Sequence, residues 1–174
     1  MQNAPNSHFD TIRTDTDMAT VSKSLTQPII SNSSVEASIL KAGLSPVTLI
    51  EFAKTLISTP YLYGSIDPRR GFDCSGFITY VFNHFKVAVP RSSKEFVNVG
   101  TPVGVLFSKP GDLILFTGTD STERTIGHMG IIISKNVGDV QFIHSSSGKA
   151  NGVVITPLND YYRGRFVKVI RVFQ

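Results

Sequence analysis

The apolar positions along this chain follow two rhythms, helical in its first half and alternating in its second. Leu49, Phe52, Ala53 and Leu56 recur at the spacing of one helix face, and Ser45-Pro46 stands just before them. Serine at an N-cap followed by proline at the first helical position opens a helix, which is expected to run to about Ser58. A shorter helix is expected over Ser34–Gly43: Val35, Ile39 and Leu40 share a face, Ser34 is placed to cap it and Gly43 to end it. Phe77, Val81 and Phe85 fall at i, i+4 and i+8, with Asp73 one position before Cys74, so a third helix is expected from Cys74 to near Phe85. Val87 to Ser93 then leads into a short helix reaching about Val99.

Beyond residue 108 the rhythm shortens. Lys109-Pro110-Gly111-Asp112 is a turn by its local chemistry, and Leu113–Phe116 is the apolar strand it feeds. Strands are expected at Gly127–Ile133, Gln141–Ser146, Gly152–Thr156 and Val167–Phe173, with a polar loop over Gly118–Thr125 and a turn over Tyr161–Phe166. Only a short turn around Asn136–Asp139 separates Gly127–Ile133 from Gln141–Ser146, so they form an antiparallel hairpin. Helices first and strands last imply an α+β fold with an antiparallel sheet. No internal repeat is present.

Length and composition narrow the class. At 174 residues, with 41% apolar residues and twelve Phe, the chain suits one domain plus an extension. Residues 1–33 are rich in Ser, Thr, Asn and Asp and are expected to be a flexible tether, leaving 34–174 as the domain. No apolar run approaches the ~18 residues of a membrane span. The opening Met-Gln-Asn-Ala-Pro-Asn-Ser shows neither the basic nor the apolar region of an export signal, although a removed signal is compatible with it. The net charge of +4 favours anionic polymers, yet the basic residues are scattered and only Arg69-Arg70 are adjacent, so nucleic acid is not expected. Without CxxC, HExxH or a glycine-rich phosphate loop, no metal site, nucleotide or other cofactor is expected.

The candidate chemistry centres on Cys74, the sole cysteine, which excludes an internal disulfide. A lone cysteine is most often a small buried hydrophobe. This one opens a helix, where free N–H groups and the helix dipole favour thiolate; cysteines so placed near a histidine reach pKa values of roughly 3.5–7.5 against about 8.5 for a free thiol. His128 opens the first strand of the hairpin and His144 lies near the end of the second, so both fall at the same end. A thiol nucleophile needs a base and an orienter for that base, and the pair supplies both.

The three segments Phe-Asp-Cys-Ser-Gly-Phe (72–77), Gly-His-Met-Gly-Ile (127–131) and Phe-Ile-His-Ser (142–145) resemble the NlpC family of papain-like cell-wall cysteine peptidases. The resemblance covers about Leu49 to Phe173. It implies N-terminal helices packed on an antiparallel sheet of about five to six strands, with Cys74 as nucleophile, His128 as base and His144 as orienter. It also implies that Tyr61, before Gly64, donates to the oxyanion. Ser93, in Pro90-Arg91-Ser92-Ser93, would line the substrate groove, and Asp73 and Ser75 would bind the free amine of the peptide's first alanine. Two departures stand out: Gly64-Ser65 replaces the family's usual Gly-Gly, and Phe96 stands where glutamine is frequent. The implied substrate is the peptidoglycan stem peptide, cut between D-glutamate and diaminopimelate or lysine, by a monomeric enzyme of the cell envelope. That location would be periplasmic or secreted, with a lipoprotein or cytoplasmic wall-peptide recycling as variants. An inactive wall-binding module and an acyltransferase or amidase on another amide are the alternatives; Asp73 beside the thiol argues against a purely apolar acyl groove.

Overall fold

A computed structural model of the chain describes residues 30–120, 122–136 and 139–174. Helix α1 (Asn32–Ala42) starts earlier than expected, because Ser31 rather than Ser34 caps it: the Ser34 N–H donates to Ser31 Oγ. Gly43 ends it in the left-handed conformation, as expected. Most of the expected tether, residues 1–29, lies outside the described residues. Helix α2 (Pro46–Thr55) is capped by Ser45 but stops three residues before Ser58. The chain leaves the helix there to meet the sheet edge, with the Ser58 N–H donating to Val153 O at 2.9 Å. Two short strands, β1 (Ile66–Asp67) and β2 (Gly71–Phe72), form a small hairpin that carries the chain into helix α3 (Cys74–His84). A single 3-10 turn, Glu95–Asn98, stands for the short helix expected near Val99, and Phe96 within it is fully buried.

The remaining elements build one antiparallel sheet. Its strands are β3 (Thr101–Val103), β4 (Leu113–Thr117), β5 (Ile126–Asn136), β6 (Asp139–Ser146), β7 (Gly152–Pro157) and β8 (Phe166–Arg171), in the order β3-β8-β4-β5-β6-β7. Asn136 pairs with Asp139, while Val137 and Gly138 of the expected hairpin turn lie outside the described residues. Where a turn was expected over Tyr161–Phe166, a short helix α4 (Asp160–Arg165) forms instead. Asn159 caps it by accepting the Tyr162 N–H, and that bond stabilises the turn of helix despite Gly164.

Strand β4 shows how the layers are arranged. Every one of its residues is buried, and they alternate between two cores: Leu113 and Leu115 join α1–α3, while Ile114 and Phe116 join the cluster around Tyr162 of α4. The sheet is thus covered on both faces. Helix α3 is buried nearly all round, with Phe77, Ile78, Val81 and Phe82 fully inaccessible. That burial fixes where its N-terminus, and therefore Cys74, sits.

Candidate active site

Cys74 is the first residue of α3. The Asp73 side chain caps the helix, its Oδ1 accepting the Gly76 N–H at 2.6 Å. Gly76 is required by packing: a Cβ there would lie 2.1 Å from the Ser65 carbonyl oxygen. Ser65, at the family's usual glycine, supports the approach loop by accepting the Asp67 N–H on its Oγ. The Cys74 sulfur lies 3.7 Å from the Gly127 carbonyl, next to the start of β5.

The two histidines meet as the hairpin predicts. With Ile131 opposite Ile143, the register places His144 opposite Gly130 and brings His128 to the same face. Gly130 leaves room for this, since a Cβ there would lie 3.1 Å from the His144 Cβ and 2.7 Å from the Phe142 ring. His128 Nε2 and His144 Nδ1 are 2.8 Å apart, and His144 Nε2 lies 2.9 Å from Thr156 Oγ1. One tautomer set satisfies the whole chain: His144 donates from Nε2 to Thr156 and accepts at Nδ1 from His128 Nε2–H, which leaves His128 Nδ1 as an acceptor. Phe116, Phe142 and Tyr162 wrap the two rings with centroids 4.8–6.1 Å away. Thr156 was not read from the sequence. It is two residues beyond Val154, the cross-strand partner of His144, so only the β6–β7 register reveals it.

Tyr61, Cys74 and Gly127 form the waist of a groove. On one side, a lobe of about 380 Å³ is lined by Asp73, Ser75, Arg91 and Ser93; on the other, a lobe of about 960 Å³ contains His128. Tyr61 is held by its backbone, the N–H donating to Asn151 O at 3.0 Å. All the sequence-derived candidates except His144 line the groove, and His144 stands directly behind His128. Arg91, in the Pro90–Ser93 segment, has a role that only the fold reveals. It donates from Nη2 to Asp73 Oδ2 at 2.6 Å, and from Nη1 to Asp73 Oδ1 at 3.0 Å and Ser75 Oγ at 3.1 Å. The carboxylate expected to meet a substrate ammonium is therefore already in a bidentate ion pair.

Burial governs the electrostatics. It pushes the Cys74 thiol up to about 11, with the Asp73 charge adding to the rise and the N–H groups of Ser75, Met129 and Cys74 opposing it. This corrects the expectation of a lowered thiol: desolvation outweighs the helix N-terminus. Burial likewise holds His128 well below 6.5 and lowers His144 to about 3, and the Arg165 charge adds to both shifts. The resting groove holds a neutral thiol and a neutral imidazole, both lining its larger lobe. Tyr61 is raised, first by burial and then by the Cys74 and Asp73 charges, so its hydroxyl stays a donor.

The lowered histidines link stability to acid. The unfolded chain takes up their protons near pH 6.5 and the folded chain does not, so stability is complete above about 6.5 and falls as the pH drops. Each ring contributes at most about 1.4 kcal/mol per pH unit. The urea midpoint is expected to decrease between pH 7.5 and 5.0 by the equivalent of about 2–4 kcal/mol. His144→Gln should remove roughly half of that dependence. A flat midpoint over this range would show that the rings are not held neutral.

Comparison with known proteins adds a family to this geometry. The chain is 34% identical over 139 residues to gamma-DL-glutamyl hydrolase of Bacillus subtilis, covering 79% of this chain and 32% of that protein. It is 38% identical over 105 residues to the probable endopeptidase NlpC of Escherichia coli, covering 60% of this chain and 62% of that one. The chain thus spans between a third and three-fifths of these relatives' lengths. Its fold matches the crystal structure of an NlpC/P60 family protein from Bacillus cereus with a TM-score of 0.65 at 27% identity, over 74% of this chain and 40% of that one. It also matches the NlpC/p60 domain of the peptidoglycan hydrolase SagA with a TM-score of 0.60 at 26% identity, over 74% of this chain and 99% of that one. Residues 58–171 match the sequence profile of the NlpC/P60 family, which includes every groove and relay residue named above, and the chain belongs to that family.

Proposed function

We propose that the chain is a cysteine peptidase of the cell envelope, acting as a monomer on peptidoglycan stem peptides and cutting the bond between D-glutamate and diaminopimelate or lysine. The observation that carries this is the Thr156–His144–His128 chain of hydrogen bonds, which leaves His128 Nδ1, an acceptor when His144 donates to Thr156, for the groove lined by both His128 and Cys74. The Bacillus subtilis relative is named for a γ-glutamyl bond, and the Escherichia coli relative for endopeptidase activity. Such a relay has no use in an inactive wall-binding module.

The reaction follows from the neutral pair. As sulfur attacks the amide carbonyl, His128 Nδ1 takes the thiol proton, and the imidazolium donates to sulfur through Nδ1 and to His144 through Nε2. The carbonyl oxygen gains the negative charge and is held by the Cys74 N–H and the Tyr61 hydroxyl, each donor contributing about 3–4 kcal/mol. His128 returns the proton to the leaving amine as the C–N bond breaks. Water, deprotonated by His128, then hydrolyses the thioester. No metal or other cofactor enters these steps.

Asp73, Ser75 and Ser93 are assigned to the acyl side of the substrate. Arg91 changes what Asp73 contributes there: the ion pair already neutralises most of its charge, so an alanine ammonium gains the interaction of one remaining Oδ2 lone pair rather than of a bare carboxylate. Acetylating that amine is expected to lower kcat/KM about tenfold, or about 1.4 kcal/mol. Digesting purified muropeptides and weighing the fragments tests the bond, and comparing free with acetylated peptides tests the amine. Fragments from any other cleavage site would overturn the assigned bond. Equal rates on both peptides would remove the ammonium contact and leave the thiol chemistry standing.

A further inference from the structure

The two lobes of the groove differ in charge. On the Asp73 side, the carboxylate and Arg91 offset each other and Lys94 is the one other charged lining residue. On the His128 side no described lining residue is acidic, while Lys149 and Arg165 are both cationic. Arg165 is fixed: Nε donates to Gly118 O at 3.0 Å, Nη2 to Thr117 O at 2.7 Å and Nη1 to Tyr161 Oη at 2.6 Å. Three of its five N–H groups are thereby used, and two remain. Its field already reaches the catalytic rings, where it opposes protonation of both His128 and His144. Lys149 is exposed on the turn between β6 and β7, held by the Gly148 N–H to Ser146 Oγ and the Asn151 N–H to Gly148 O. The lobe between them, about 960 Å³, has the larger volume of the two and accommodates an amino-acid residue.

We propose that this lobe is an anion subsite in which Lys149 and Arg165 hold a carboxylate of the residue released as the leaving amine. The inference rests on the proposed amide hydrolysis with the acyl part on the Asp73 side, which puts the leaving residue on the other side of Cys74. The subsite selects leaving residues with a free carboxylate over those in which it is amidated. Two cations without a counter-charge in a semi-enclosed lobe give a carboxylate more than a surface lysine would, because the walls exclude part of the screening water. The same field also draws anionic wall fragments toward the thiol.

The test uses two tripeptides, L-Ala-γ-D-Glu-L-Lys ending in a free carboxylate or in a carboxamide. The full chain is expected to favour the carboxylate about tenfold in kcat/KM, about 1.4 kcal/mol, and the preference should shrink as salt rises from about 0.05 to 0.5 M. Lys149→Glu should abolish the preference by loss on the carboxylate peptide, while its thermal midpoint stays near wild type because Lys149 is exposed. A preference that is absent in the wild type, or unchanged in Lys149→Glu, overturns the subsite and leaves the proposed hydrolysis intact. A second readout needs no cleavage: the rate of Cys74 alkylation by iodoacetate divided by that by iodoacetamide. This ratio should fall about fivefold in Lys149→Glu. If neither peptide is cut, the proposed bond fails and the alkylation ratio alone decides the subsite: a fall supports it and an unchanged ratio overturns it.

Discussion

Replacing Cys74 by alanine is expected to lower hydrolysis by about 10⁵-fold while the protein folds as before. Members of a nucleophile–base unit act together, so removing any one of them costs about as much as removing all, on the order of 10⁴–10⁶ in rate. Cys74 is the sole thiol in the chain, and the neighbouring Ser75 hydroxyl is engaged otherwise, accepting from Arg91 and donating to Asp73. The fold does not depend on the thiol. The helix cap uses Asp73 and the Gly76 N–H, and the side chains by which α3 joins the hydrophobic core begin at Phe77. The sulfur's hydrogen bond to Gly127 O is long and its other polar neighbours are backbone N–H groups, so its loss should cost about 1 kcal/mol. Steady-state hydrolysis of a muropeptide, with circular dichroism and the thermal midpoint as controls, measures both. A folded Cys74→Ala variant retaining more than a hundredth of wild-type turnover would exclude the thiol as nucleophile.

The features that could be read from the chain are those written locally. Ser45-Pro46 announces α2, Asp73 announces α3, and Pro110-Gly111-Asp112 announces β4, because a cap or a turn needs only neighbouring residues. The hairpin put His128 and His144 at one end because antiparallel pairing follows from a short connection. What escaped reading depends on residues far apart in sequence. The Arg91–Asp73 pair spans 18 positions, and Thr156 behind His144 requires the register of a third strand. Strand β3 escaped because its three residues include Pro102 and pair only with β8. The helix α4 was hidden by Gly164, which reads as a turn residue. The thiol was misjudged for the same reason of distance. A helix N-terminus is visible in sequence, whereas the burial that raises the thiol to about 11 is made by the packed fold.

That raised thiol makes the two histidines unequal in a measurable way. Because burial keeps the thiol protonated, the proposed reaction depends on His128 removing the proton during attack. His128→Ala should therefore cost about as much as Cys74→Ala, on the order of 10⁴–10⁶. His144 touches neither sulfur nor substrate. In the proposed mechanism it is a positioning residue that fixes the His128 tautomer and receives the Nε2–H when the ring becomes charged. A glutamine there offers an amide oxygen for the same bond, so His144→Gln should retain about one-tenth to one-hundredth of the rate. His144→Ala, which leaves a polar N–H buried without a partner, should lose more. The pH profile separates positioning from mere packing. The active form has His128 neutral, and burial holds its pKa well below 6.5, so kcat/KM should stay level through pH 6 and drop only as the pH falls through that lowered value. The alanine variant at 144 admits water to the ring, which weakens the desolvation that lowers it, and its acid limb should move up toward 6.5. Glutamine, which keeps the site filled, should leave the limb nearer its wild-type position. Equal losses in His128→Ala and His144→Gln, or an acid limb near 6.5 in the wild type, would contradict the assigned roles.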